Sequence, residues 1–225
     1  MAIPTLLRID FVSDVACPWC AIGLAGLRRA LDELDGEIGA EIHLQPFELN
    51  PDMAPEGEDA DEHIARKYGI DANQLNANRE VIRTRAADVG FTIDSGSGSR
   101  VWNTFDAHRL LHWAAGIDGN RALDLKQALF RAYFTDHRNV ADREVLVELA
   151  AEAGLPRDGA RLALESGAFA EEVRAREEHY QRAGIHSVPA TIVNDQYLIA
   201  GGQPPEVFAG ALREIAAKIG ATPVH

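Results

Sequence analysis

The sequence predicts an α/β fold with a βαβ unit at the start, a ββα unit at the end, one central mixed sheet built from both, and a large inserted α-helical subdomain. Three observations predict it. Two short apolar runs flank an amphipathic stretch within the first fifty residues. About 120 residues of helical periodicity follow, punctuated by glycines. Strand character returns only at residue 190. The expected organisation is residues 1–55 as the first part of the sheet domain, 56–183 as the helical insertion and 184–225 as the second part.

Leu6 to Val12 reads as the first strand, with Arg8 and Asp10 interrupting its apolar residues, and Ser13 and Asp14 then supply turn and capping chemistry. Ile22, Leu24, Leu27, Leu31 and Leu34 recur at helical spacing, and Gly36 and Gly39 close that helix. Glu41 to Leu49 reads as a second strand with Ile42 and Leu44 on one face. Strand, helix and strand in so short a span predict parallel pairing.

Helices are expected at 58–68 and 73–89. The stretch Ser95-Gly96-Ser97-Gly98-Ser99 then breaks the pattern; its glycines lack the spacing of a dinucleotide loop. Further helices are expected at 102–115, 120–135, 143–153, 157–164 and 169–182, with Gly116, Gly154 and Gly167 as stops. Trp102, Trp113, Phe130, Tyr133 and Phe134 fall at helical spacing and read as core of the insertion. Ala190–Val193 and Tyr197–Ala200, joined by Asn194-Asp195-Gln196, read as a hairpin. A last helix starts near Pro205, with Phe208, Ala211, Leu212, Ile215 and Ile219 on one face.

The 225 residues carry 46% hydrophobic and 25% charged residues and a net charge of -13. That charge argues against nucleic acid or an anionic membrane as partner, because phosphate surfaces need clustered Lys and Arg. No stretch approaches the roughly 18 apolar residues of a membrane helix. The N-terminus from Met1 to Asp10 shows neither a basic leader nor a long apolar run, so a cytoplasmic location is expected.

The chemistry points to Cys17 and Cys20, the only two cysteines. Cys17 follows a strand and a short loop and opens a helix, where the first amides lack partners and the helix dipole is positive. Such a position, and a C-x-x-C setting, lowers a thiol pKa from about 8.5 to roughly 3.5–7.5. Cys17 is therefore expected to be an exposed, low-pKa nucleophile. Cys20, one turn further in, is expected to be more buried and to resolve the mixed disulfide. Pro18 suits the first turn, where its missing N–H is not needed. Two other readings stand beside this one: half of a zinc site completed by His108 and His112, or inert buried thiols.

Asp10-Phe11-Val12-Ser13-Asp14 before Cys17-Pro18-Trp19-Cys20, the segment Asn103-Thr104-Phe105-Asp106-Ala107-His108-Arg109-Leu110, Ser187-Val188-Pro189-Ala190 and Gly201-Gly202-Gln203-Pro204 run nearly end to end. In this order the set resembles the DsbA-like branch of the thioredoxin superfamily, most closely the cytoplasmic group called FrnE-like. The resemblance implies a thioredoxin-like fold with a helical insertion, and dithiol–disulfide exchange without a bound cofactor. It implies that Cys17 is the nucleophile, Cys20 the resolving thiol and Pro189 a cis proline beside them, with the Val188 backbone open to an added substrate strand. Two departures limit it. Trp19 stands where DsbA has histidine, so strongly oxidising behaviour is not carried over, and no second cysteine pair follows near the C-terminus.

The expected partners are protein or small-molecule thiols and disulfides, with glutathione as candidate co-substrate; a homodimer is left open. Pro18, Trp19, Val188, Asn103 and His108 are candidate substrate contacts. Trp19 reads equally as core packing, and His108 with Arg109 as helix-block pairing. Asp14 is either a proton shuttle or a cap. A glutathione-dependent isomerase or transferase, of the 2-hydroxychromene-2-carboxylate isomerase or kappa-class type, shares the architecture. Those enzymes generally place serine where Cys17 stands.

Overall fold

The computed structural model describes residues 5–94 and 98–220. The expected break at Ser95-Gly96-Ser97 and the Met1–Pro4 start of the N-terminus lie outside the described residues. Strand β1 (Thr5–Ser13) pairs in parallel with β2 (Ile38–Pro46), and helix α1 (Pro18–Glu33) makes the crossover. Strands β5 (Ala190–Val193) and β6 (Tyr197–Ala200) form the late hairpin; with β3 and β4 assigned below, the sheet order is β2-β1-β5-β6. β1 runs antiparallel to β5, with Val12 opposite Ala190. The first and last parts of the chain thus meet in the middle of the sheet, with the Cys17 loop beside the segment that enters β5. The Val188–Pro189 peptide in that segment is cis.

The helices between are α2 (Ala60–Tyr68), α3 (Ala72–Asp88), α4 (Phe105–Ile117), α5 (Gly119–Phe134), α6 (Arg143–Glu152), α7 (Arg157–Glu165) and α8 (Ala170–Arg182); α9 (Pro205–Gly220) ends the fold. Aspartates begin several of them. The side chains of Asp59, Asp71, Asp118 and Asp142 accept the free first-turn amides of α2, α3, α5 and α6. A two-residue ladder, β3 (Glu58–Asp59) with β4 (Arg100–Val101), was not expected. It is too short to show an alternating pattern.

Two main cores result. Leu7, Ile9, Phe11, Ile22, Leu24, Leu27, Phe208 and Leu212 fill the space between the sheet, α1 and α9. Leu110, Leu125, Leu129, Leu146 and Leu149 fill the helical insertion. The insertion divides by packing. Helices α4 to α7 build their own core, while Ala86 and Val89 at the end of α3 join the sheet core, as do Phe130 and Phe134 of α5, which were expected in the core of the insertion. Among the described residues, no helix is long and apolar enough to cross a membrane.

Candidate active site

Cys17 is the N-cap residue of α1, in extended backbone geometry, with Pro18 at the first helical position. A thiol takes the place usually held by a Ser, Thr, Asp or Asn oxygen. The Cys20 N–H donates to Cys17 Sγ at 3.3 Å, and the Cys17 thiol donates to the Val188 carbonyl at 3.7 Å. Both cysteines are free thiols. Cys17 is only 4% exposed, in contrast to the open thiol expected, because its sulfur turns inward to these two backbone partners. Cys20 lies deeper, with no exposed surface. Burial, and then the hydrogen bond with and charge on Cys17, push the Cys20 thiol well up from its ordinary value.

Glycines let the surrounding segments close in. A Cβ on Gly23 would lie 3.1 Å from the Pro189 ring, and one on Gly202 would lie 2.6 Å from the Trp19 carbonyl. A Cβ on Gly26 would meet the Gln203 carbonyl at 2.7 Å. The face of α1 carrying Gly23 and Gly26 is thus flat enough for the proline loop and the Gly201-Gly202-Gln203 turn to seat on it. Gln203 Nε2 donates to the Ala200 carbonyl at 2.8 Å and tightens that turn. Pro18 and Trp19 remain partly exposed at the rim, and Trp19 also leans on the sheet core.

Asp14 is not the cap of α1. Its buried carboxylate accepts the Ala16 amide at 3.3 Å, the Leu49 amide at 2.7 Å and His108 Nε2 at 3.3 Å, clamping the loop that carries Cys17 to the end of β2. Burial pushes this carboxyl up. The bond to and charge of His108, with the Leu49 amide and Thr104 hydroxyl, outweigh it and hold Asp14 below the usual range.

The substrate contacts expected at Asn103 and His108 need correction. The His108 side chain is 2% exposed and bound to Asp14, so it does not line an open groove. Asn103 is committed to the fold: its Nδ2 donates to the Met53 carbonyl at 3.1 Å and its Oδ1 accepts the Phe105 amide at 2.9 Å. Arg109 donates to the Ala163 and Ala168 carbonyls at 2.6 and 2.8 Å, tying α4 to the end of α7. His112 lies against Phe169, with centroids 5.4 Å apart. The two histidines therefore serve different partners, and no cluster of three or more His, Cys, Asp or Glu arranged for a metal occurs among the described residues.

Two groups fall outside the residues expected from the sequence. Lys67 Nζ donates to the Leu49 carbonyl and to Asn50 Oδ1, both at 2.7 Å, which holds the end of α2 to the segment after β2. Next to it Tyr68 is 61% exposed, and partial burial, then the charge of Cys17, raise its phenol pKa. The second is Lys126, buried on α5. A lysine four residues before Phe130 and three before Leu129, in a helix otherwise apolar on that side, was a signal available in the sequence.

The family model described as DSBA-like thioredoxin domain matches residues 8–213. The crystal structure of a probable DsbA oxidoreductase from Streptomyces coelicolor is 35% identical, covers 97% of this chain and 93% of its own, and superposes with a TM-score of 0.86. The protein YwbO of Bacillus subtilis is 27% identical over 209 residues, spanning 92% of this chain and 96% of its own. The cytosolic disulfide reductase DsbM from Pseudomonas aeruginosa, whose structure contains GSH, shares the fold at 19% identity and a TM-score of 0.64, covering 93% of this chain and 99% of its own.

Proposed function

Given that the chain belongs to the DSBA-like thioredoxin domain family, we propose that it performs dithiol–disulfide exchange through Cys17 and Cys20, in the manner of the FrnE-like group and in the cytoplasm. The observation that carries this reading is the seat of Cys17. Its sulfur is the N-cap of a sixteen-residue helix, accepts the Cys20 amide, and lies against the carbonyl before the cis Pro189. Negative charge formed on that sulfur meets the Cys20 amide and the positive end of the helix.

Exchange then runs in two steps. The Cys17 sulfur attacks a substrate disulfide, forms a mixed disulfide and expels the other substrate thiol. Cys20 attacks the Cys17 sulfur, releases the second substrate thiol and leaves the Cys17–Cys20 disulfide, so the substrate gains the two electrons that the protein gives up. With the protein oxidised the same steps run in reverse. Trp19, Pro18 and the Val188 backbone form the rim a substrate segment would meet.

Glutathione is the proposed small co-substrate, since its sulfur would exchange at Cys17 as any thiol does. The presence of GSH in the structurally similar DsbM supports this choice.

Insulin reduction in glutathione buffer tests the reading. Wild type accelerates the reaction and Cys17→Ser returns it to the uncatalysed rate. Equal activity in the two proteins contradicts the role of Cys17. Inactivity of both with insulin, with a response to a glutathione conjugate, transfers the site to isomerase or transferase chemistry.

A further inference from the structure

Glu48 follows β2 and Glu177 lies on α8. Both carboxylates bond to one nitrogen, Arg174 Nη1, Glu177 at 2.8 Å. The Glu48 side chain is 2% exposed and that of Glu177 is 7% exposed. Oε1 of each is buried without a hydrogen-bond partner. The charges do not balance: two buried carboxylates meet one guanidinium, which also lies over the Phe105 ring of α4. The closed arrangement therefore favours one proton kept by the pair. The surrounding charges do not supply the missing cation. Asp14, bonded to His108, acts on Glu48 in the same unfavourable sense. The Lys67 ammonium is committed to the Leu49 carbonyl and Asn50. Arg8 is committed to Asp10, which also bonds Tyr180 of α8.

This cluster adjoins what covers Cys17. Phe47 and Leu49, on either side of Glu48, pack with Tyr180 of α8, Ile185 and Val188 in one small core. The Val188 carbonyl takes the Cys17 thiol. The Leu49 amide holds Asp14, whose carboxylate also holds the Ala16 amide next to Cys17. With Cys17 only 4% exposed, a disulfide reaches its sulfur when part of this packing lets go.

We propose that Glu48, Glu177 and Arg174 form a proton-operated latch that sets how often the Cys17 sulfur is uncovered, an inference that rests on the exchange reading above. With one carboxyl protonated, α8 stays docked on the end of β2 and the small core keeps the sulfur covered. Loss of that proton leaves two buried charges on a single arginine. The docked state then yields to an open one in which both carboxylates reach water. Each opening releases one proton, so openings grow more frequent as pH rises for as long as the closed form holds that proton. The latch exchanges no proton with either cysteine; it governs access alone.

Amide hydrogen exchange, corrected for the intrinsic effect of pH, reads the opening. In residues 47–49, in α8 and in residues 185–188, the opening constant is expected to rise about tenfold per pH unit between pH 5 and 7 and to level off above about 7. Glu48→Gln and Glu177→Gln are each expected to flatten that rise, because one charge then meets one arginine. Alkylation of Cys17 by iodoacetamide, followed by mass, reads the access. The ratio of the wild-type rate to that of Glu48→Gln cancels the titration of the thiol itself. It is expected near one at pH 5 and at about tenfold or more at pH 7. A flat wild-type profile, a rise that persists in both variants, or a ratio of one at pH 7 overturns the proposal. So does a rise shared equally by β1 and α1, which marks global unfolding. If Glu48→Gln does not fold, Glu177→Gln carries both measurements. Wild type that fails to reduce insulin while the rise and the ratio hold overturns the exchange reading and leaves the latch standing.

Discussion

A buried amine such as Lys126, set over the Phe130 ring, is an expensive occupant of a core that methionine could fill. The cost of Lys126 has a sign that can be measured. Its folded value of about 8 lies below the roughly 10.4 of an unfolded lysine. The charged amine therefore destabilises the fold at pH values below 8, and the penalty is relieved as pH rises from about 8 to 10.4, where the unfolded chain holds the proton and the folded one does not. Lys126→Met is expected to raise the melting temperature at pH 6–7, at about 2–4 °C per kcal/mol for a domain of this size. The gain should shrink towards pH 10; a gain independent of pH would show that folding does not shift the lysine's pKa. Cys17 and Cys20 were legible from spacing and their place before a helix. Lys126 left a weaker mark, a charge at a core-facing position. His108 was misread because its partner Asp14 is ninety-four positions away in sequence, which no local pattern reveals.

At the scale of elements, the site depends on how closely the Gly201-Gly202 turn and the proline loop approach α1. Gly202→Ala places a methyl 2.6 Å from the Trp19 carbonyl, so the turn must lift off the helix. The expected cost is about 1–3 kcal/mol, the range for overpacking, together with slower exchange because Trp19 and Pro189 shift. Gly210 on α9 is the control. A Cβ there meets nothing within 4 Å, and Gly210→Ala should be neutral or stabilise by up to about 1 kcal/mol. Equal melting temperatures for the two variants would contradict the close-approach account. The main strands and helices were legible because their apolar residues repeat at period two or 3.6. The β3–β4 ladder was not, since its two residues per strand carry no pattern. The division of the insertion was hidden for another reason: local pattern marks α3 as a helix, not that Ala86 and Val89 at its end meet the sheet core.

Across the whole molecule, the late helix α8 is tied to the end of β2 by a charge cluster that spans distant parts of the chain. Arg174 pairs with Glu48, and with Glu177 at 2.8 Å, while its guanidinium lies 3.9 Å from the Phe105 ring centre. Glu48 Oε1 and Glu177 Oε1 are buried with no hydrogen-bond partner. Burial, then the charge of Glu177, raise Glu48 to about 7 against the partial offset of Arg174. An acid raised on folding is held protonated, so stability falls as pH climbs from about 4.3 to 7. Glu48→Gln removes that loss. Its melting temperature should match wild type near pH 5 and exceed it at pH 8; a constant difference would contradict the shift. The central claim is that one sulfur receives the substrate and its neighbour completes the exchange. Mass spectrometry across a glutathione redox titration tests it most directly. Wild type is expected to pass in one two-electron transition to a Cys17–Cys20 disulfide, while Cys20→Ser stops at a glutathione adduct on Cys17. An adduct that settles on Cys20 in Cys17→Ser as readily, or two cysteines that never join, would contradict it.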